Sequence, residues 1–277
     1  MSDTQPTVTL TQDQIEFFHT NGFLAVPAIS TPEEIALMRE AYDRIFAERA
    51  GREEGNQFDL AGTDEEGREA TLPQILNPVK YAPELRDTLC RANARAIAKQ
   101  LLGEGTQDMG DHAIFKPARH GAATPWHQDE AYWGPNLEYN TLSVWMPLQE
   151  ATLENGCMQF IPGSHLLEVL PHHCINNDPR IHGLEVDHVV DLANPTVCPL
   201  PPGGATFHLS RTLHYTAPNR SDTPRRAYIM GFGLPPKPRA TPRNFYWNDQ
   251  KRTAREERAK VATQQAAQET QSFPVTS

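Results

Sequence analysis

The chain predicts a mainly β fold with flanking helices, a sandwich or barrel, and three observations carry that prediction. From about residue 110 onward, short alternating segments are separated by Gly, Pro and Asn, at 112–116, 124–129, 141–149, 156–161, 204–209, 212–217 and 225–233. Many short strands with such punctuation fit a sandwich or barrel better than βαβ units. Ahead of them the signals are mostly helical, and 277 residues without internal repeats or an obvious linker suffice for one large core. We therefore expect a single domain over 1–277, with a helical part at about 10–105, a β core at about 106–235 and a polar tail at about 248–277.

Thr11-Gln12-Asp13-Gln14 has capping-box form and opens a short helix carrying Ile15, Phe17 and Phe18, which Asn21-Gly22 ends. Phe23 to Pro27 reads as a brief strand. Thr31-Pro32-Glu33-Glu34 is a stronger helix start: a cap, proline at the first helical position and an acid at the third. Behind it Ile35, Met38, Tyr42, Ile45 and Phe46 recur at helical spacing, leaving Glu33, Arg39, Asp43 and Arg44 for the solvent side. Residues 51–71 are acidic, bear glycine and show no periodicity, so they are expected as a mobile surface loop and a candidate lid. A third helix is expected from Pro83 to Leu102, with Leu85, Leu89, Ala96 and Ile97 inward and Gly103 stopping it. The stretch 165–200 is rich in His and Pro without clear periodicity, a loop long enough to carry function. The tail has a charged helical stretch from Thr253 to Gln268 with no apolar face.

A net charge of −10 argues against a field that gathers phosphate backbone, so neither nucleic acid nor an anionic membrane is expected as a partner. Cys90, Cys157, Cys174 and Cys198 contain no Cys-x-x-Cys spacing and read as free thiols of a reducing, cytoplasmic compartment. The start, Met1 to Pro6, lacks a basic region followed by an apolar one, and no apolar run approaches membrane-spanning length.

The chemistry centres on Thr124-Pro125-Trp126-His127-Gln128-Asp129. In an extended strand His127 and Asp129 project from the same side, two thirds of a facial metal triad. The third member would be a histidine from a distant strand; His214 is the candidate and His208 its rival. With eleven histidines in the chain a His-x-Asp pair alone proves little, and its plain reading is a strand-end histidine hydrogen-bonded to an acid. Pro224-Arg225-Arg226 supplies cations for an anionic cosubstrate, and neighbouring strand residues face opposite ways, so the two arginines compete for one inward position. His112 and Lys116 share one face of an expected strand and could reach the same cavity; a buried lysine needs an anionic partner.

The ordered set of Trp126-His127-Gln128-Asp129, Leu142 to Leu148, Asn155-Gly156-Cys157-Met158-Gln159-Phe160-Ile161-Pro162-Gly163-Ser164-His165, Gly204 to His208, and Leu213-His214 with Pro218-Asn219 and Arg225 resembles the phytanoyl-CoA dioxygenase family. The resemblance covers most of residues 10–235. It implies a double-stranded β-helix, a cupin-like jelly roll, and an oxygenase using Fe(II) with 2-oxoglutarate as cosubstrate. Carried over by position, it implies that His127, Asp129 and His214 ligate iron and that Arg225 bridges the distal carboxylate of 2-oxoglutarate. Arg226 then belongs on the outer face with Tyr228. Trp145 and Thr216 match positions that line the cosubstrate pocket, while His165 and His208 read as structural or supporting groups.

Two imidazoles and one carboxylate leave iron three adjacent positions, enough for a bidentate 2-oxo acid and then dioxygen. A guanidinium fork fits a carboxylate through two parallel hydrogen bonds, which lysine cannot do. Related halogenases have a small residue in place of the acid, so Asp129 points to hydroxylation or another oxidation of a C–H bond, with succinate and CO2 released. The expected partners are a small-molecule substrate and O2, the substrate lying under loops drawn from 51–71, 130–140 and 165–200. A jelly-roll protein that binds metal and ligand without turnover is the alternative, and a zinc hydrolase is disfavoured because no general base stands out.

Overall fold

The computed structural model describes residues 4–188 and 194–272; the first three residues of the start read above, part of the 165–200 stretch and the end of the tail lie outside them. In order the elements are α1 (Gln12–Asn21), β1 (Phe23–Val26), α2 (Pro32–Ala47), β2 (Gln57–Asp59), β3 (Pro73–Leu76), α3 (Leu89–Leu102), β4 (Gln107–Lys116) and β5 (Thr124–His127). There follow β6 (Leu137–Glu138), β7 (Thr141–Pro147), β8 (Met158–Phe160), β9 (His172–Cys174), β10 (Leu184–Val186), β11 (Thr196–Cys198), β12 (Ala205–Leu209), β13 (His214–Thr216), β14 (Arg225–Gly233), β15 (Lys237–Pro238), α4 (Tyr246–Asp249) and α5 (Ala254–Ser272). Among the described residues a large sheet runs β1-β12-β7-β14-β4-β3-β2 and a small one β11-β8-β13-β5, the two walls of a jelly roll.

Period-two alternation sorts the large sheet's side chains between two layers. Along β7, Leu142, Val144 and Met146 face α1, α2 and α3, and Trp145 faces the small sheet. Along β14, Tyr228 and Met230 join the helical side, while Ala227 and Ile229 point between the sheets. By the same alternation Arg225 points inward, and Arg226 reaches out to Asp43 of α2 with two contacts of 2.7 and 2.9 Å.

The first two helices start where their caps place them. Thr11 and Gln14 exchange both capping-box bonds, and Thr31 accepts from Glu34 N ahead of Pro32. Ile35, Met38, Tyr42 and Ile45 are buried and Phe46 packs at the edge, whereas Phe17 of α1 is largely exposed. The third helix begins later than expected. Thr88 caps it by accepting from Arg91 N, so Pro83–Leu85 is only a separate 3-10 turn, and the buried stripe is Cys90, Ala94, Ile97, Ala98 and Leu101.

Residues 51–71 differ more. They contain β2, which pairs with β3 and buries Gln57, Phe58 and Asp59. Two of the acids that suggested a solvated loop, Asp59 and Asp64, are committed to internal bonds. Asp59 accepts from the backbone N–H of Ala61, Thr71 and Leu72, at 3.1, 2.9 and 2.9 Å. Asp64 pairs with buried Arg52 at 2.7 Å and with Arg258 of α5. The 165–200 stretch likewise holds an antiparallel pair, β9 with β10, and β11, which pairs with β8. Within the expected polar tail Lys251 and Thr253 are buried, and just ahead of it Phe245 and Trp247 are buried too.

Candidate active site

His127 closes β5, and His214 opens β13 directly opposite it in the small sheet. Asp129 is not on the strand. It begins a 3-10 turn, Asp129–Tyr132, but Gln128 between them is still extended (φ −118°, ψ 129°), so the carboxylate stays on the histidine side. One ligand atom from each of His127, Asp129 and His214 lies within 4.8 Å of the others. Both Nε2 atoms are 3.5 Å from the same carboxylate oxygen, Oδ1.

The donor chemistry fits a divalent metal. His127 Nδ1 faces Pro125 O at 2.8 Å and His214 Nδ1 faces Thr212 O at 2.9 Å. Each carbonyl accepts a hydrogen bond from Nδ1–H, which leaves both Nε2 lone pairs turned to the cluster. Burial holds His214 well below the ordinary histidine value, so it is a neutral ligand. Burial alone would raise Asp129, but the neighbouring imidazoles of His214, His127 and His208 outweigh it and keep the carboxyl well below its usual range. Its second oxygen, Oδ2, accepts from Ser143 Oγ at 2.6 Å and faces His208 Nε2 at 3.3 Å. Ser143 and His208 are register partners on β7 and β12. The small sheet thus supplies the imidazoles, and the large sheet ties back the far oxygen of the acid, leaving Oδ1 as a one-atom ligand.

A cavity of ≈ 260 Å³ opens from this cluster, lined among others by Trp145, Thr216, His112 and Arg225. Arg225 is 1% exposed, stacks over the Trp145 ring at 5.2 Å and, among the described residues, has no hydrogen-bond partner for Nε or Nη1. Burial without a counter-charge pushes it down to about 9, and a guanidinium with that value remains protonated at neutral pH. Lys116 is its register partner on β4 and is fully buried, but its Nζ donates to the carbonyls of Thr216 and Ala217, at 3.2 and 2.6 Å, rather than to an acid. It stands behind the cavity wall instead of beside His112. Burial, with Arg225 adding to it, holds Lys116 well below the ordinary lysine value.

Two motif residues explain how Arg225 is aimed. Asn219, fully buried, donates to the carbonyls of Lys116, Pro117 and Thr223, which fastens the turn before β14 to the end of β4. Gly156 has φ +87°, and a Cβ there would stand 2.3 Å from Ala217 O, so only glycine lets the chain before β8 approach β13 this closely.

The expected loops each contribute to the cavity: Leu60 from 51–71, Tyr132 and Trp133 from 130–140, and His182 from 165–200. Gln74 of β3 and Ser143 were not singled out by sequence. Ser143 was accessible to the alternation argument, two residues before Trp145 on one face; nothing in the sequence marks Gln74. His165 lies apart from the metal cluster, facing His19 O at 3.1 Å. A larger open depression of ≈ 1050 Å³, between α2 and the 51–71 stretch, carries none of the triad.

Jelly-roll walls with a His-Asp-His cluster and an unpaired inward arginine define a non-haem metal oxygenase. The family model for phytanoyl-CoA dioxygenase (PhyH) matches residues 18–227, and the chain belongs to that family. It resembles the crystal structure of EvdO2 from Micromonospora carbonacea var. aurantiaca at 44% identity and a TM-score of 0.76, over 88% of this chain and 98% of that one. The same protein complexed with 2-oxoglutarate aligns at 40% identity and a TM-score of 0.74, over 88% and 98% of the two chains. A probable alpha-ketoglutarate-dependent hypophosphite dioxygenase of Stutzerimonas stutzeri is 28% identical over 76% of this chain and 74% of its own length. The protein is accordingly a 2-oxoglutarate-dependent oxygenase with iron as its metal.

Proposed function

We propose that the protein hydroxylates, or otherwise oxidises, an unactivated C–H bond of a small uncharged molecule, with release of succinate and CO2. His127, Asp129 and His214 hold the iron, and Arg225 clamps the distal carboxylate of 2-oxoglutarate, with Trp145 and Thr216 shaping its pocket. The observation that carries this reading is the buried guanidinium, unpaired and facing the same cavity as the triad. A buried cation without a partner is costly, and a carboxylate removes that cost with a bidentate contact. Lys116 stays behind the wall with its Nζ donating to backbone carbonyls, and His112 offers a neutral imidazole, its pKa lowered by burial, beside the reacting region.

When bound, iron with 2-oxoglutarate and dioxygen supplies the oxidising power that removes a hydrogen atom from the substrate. The chain's own groups do the rest. Ser143 and His208 keep Asp129 on one oxygen, so neighbouring positions stay open for the other reagents. Tyr132, Trp133, Leu60 and His182 wall the substrate side and exclude water. Among the described lining residues Arg225 is the only Lys or Arg, and it is occupied by the cosubstrate, which favours an uncharged substrate at this depth. We infer one catalytic unit working in the cytoplasm, where a reducing milieu suits four buried free thiols; among the described residues no helix is long and apolar enough to cross a membrane.

The test is anaerobic addition of Fe(II) and 2-oxoglutarate, which should give a metal-to-ligand charge-transfer band. His127→Ala should abolish that band and substrate-dependent succinate formation together. Full turnover in His127→Ala with iron as the only metal would sink the assignment.

A further inference from the structure

The family match ends at residue 227, yet the chain beyond it returns to the metal turn. Each residue flanking Asp129 is gripped, directly or through one intermediary, by the segment 243–251. Glu130 is 2% exposed, and its carboxylate accepts from Arg243 Nη1 at 2.6 Å and from Ser210 Oγ at 3.0 Å. The carbonyl of Ala131 accepts from Trp247 Nε1 at 2.9 Å and from Asn248 Nδ2 at 2.8 Å. Lys251 Nζ stands 4.7 Å over the ring of Tyr132, a cavity wall. On the other flank, Gln128 N donates to His172 Nε2 at 3.2 Å, and the His172 ring packs against Trp247 with centroids 5.5 Å apart.

We propose that segment 243–251, outside the family match, is a positioning element of the active site: Arg243, Trp247, Asn248 and Lys251 fix the 128–132 turn and thereby the angle at which Asp129 meets the metal. The physical case is convergence. A 3-10 turn of four residues makes few internal bonds, so the orientation of its first side chain is set by whatever holds the other three. Here those partners are two side-chain donors on one carbonyl, a buried ion pair and a cation over an aromatic face. Ligand orientation of this kind ordinarily falls to groups just outside the metal's own ligands. The proposal rests on Asp129 being an iron ligand.

The experiment titrates Fe(II) into full-length protein under anaerobic conditions with saturating 2-oxoglutarate, following the charge-transfer band, alongside the melting temperature. Trp247→Phe/Asn248→Ala, which keeps the ring and removes both donors to Ala131 O, should weaken iron binding about tenfold and shift the band. Arg243→Lys, which keeps the charge, should stay near wild type. Asn93→Ala is the control: it removes buried hydrogen bonds to Thr7, Val8 and Ile29, far from the site. It should lower the melting temperature without moving the band. Should the double variant fold too poorly, Asn248→Ala alone should show a smaller shift in the same direction. Wild-type affinity and band in a folded Trp247 or Asn248 variant would overturn the proposal, as would an equal loss in Asn93→Ala. A wild-type protein with no band would instead refute the metal reading on which the proposal stands.

Discussion

Asp129 carries two duties on two oxygens, one facing the imidazoles and one held by Ser143 and His208. His127, Asp129 and His214 were legible in the sequence because metal chemistry needs those side chains and short spacing places two of them together. Their supports were less legible. Ser143, Gln128 and His172 act through hydrogen bonds that depend on where distant chains pass, and no spacing rule encodes that. For Arg225, truncation to Met should raise the KM for 2-oxoglutarate about 100-fold, since a bidentate charge-assisted pair is lost. Initial rates against cosubstrate concentration measure it, and an unchanged KM would remove Arg225 from the clamp. His172 yields a pH prediction. Burial pushes its pKa from 6.5 to about 4, so the unfolded chain takes up the proton first. The stability of the neutral imidazole is complete above pH 6.5, falls as pH drops toward 4 and changes no further below; the full loss is roughly 3 kcal/mol. Urea midpoints between pH 7 and 4.5 should show that decline, and His172→Gln should flatten it.

Among the elements, α1, α2 and the main strands follow from caps and alternation, signals that act within a few residues. Residues 51–71 did not, because their order comes from long-range partners. A run of acids reads as solvated until Arg52 and Arg258 are brought to Asp64 and three backbone N–H groups to Asp59. The same holds for the chain after Asn244, where the aromatic run Phe245 to Trp247 is the apolar cue ahead of a polar stretch. Asp59→Asn tests this element. Replacing one acceptor oxygen by an amide leaves a backbone N–H facing a donor, so stability should fall by about 1–3 kcal/mol. Proteolysis should then cut within 60–71 sooner than in wild type. Equal cleavage rates would mean that the carboxylate is not what holds the segment.

At the scale of the molecule, helices stiffen one face of the large sheet, and its other face meets the small sheet around the metal cluster. The family resemblance gave the jelly roll that strand punctuation alone left as sandwich or barrel. With iron already bound, 2-oxoglutarate at about 100 times its dissociation constant should add about 2.7 kcal/mol to stability. The melting temperature should then rise by about 6 °C in wild type. Arg225→Met should lose most of that rise, and His127→Ala nearly all; identical shifts in the three proteins would place the binding elsewhere. The clamp proposed for Arg225 has one more consequence. Decarboxylation consumes the carboxylate at the metal end of 2-oxoglutarate and spares the one at the arginine end. Succinate therefore departs from a clamp that still recognises it, and spent product competes with fresh cosubstrate for the same guanidinium.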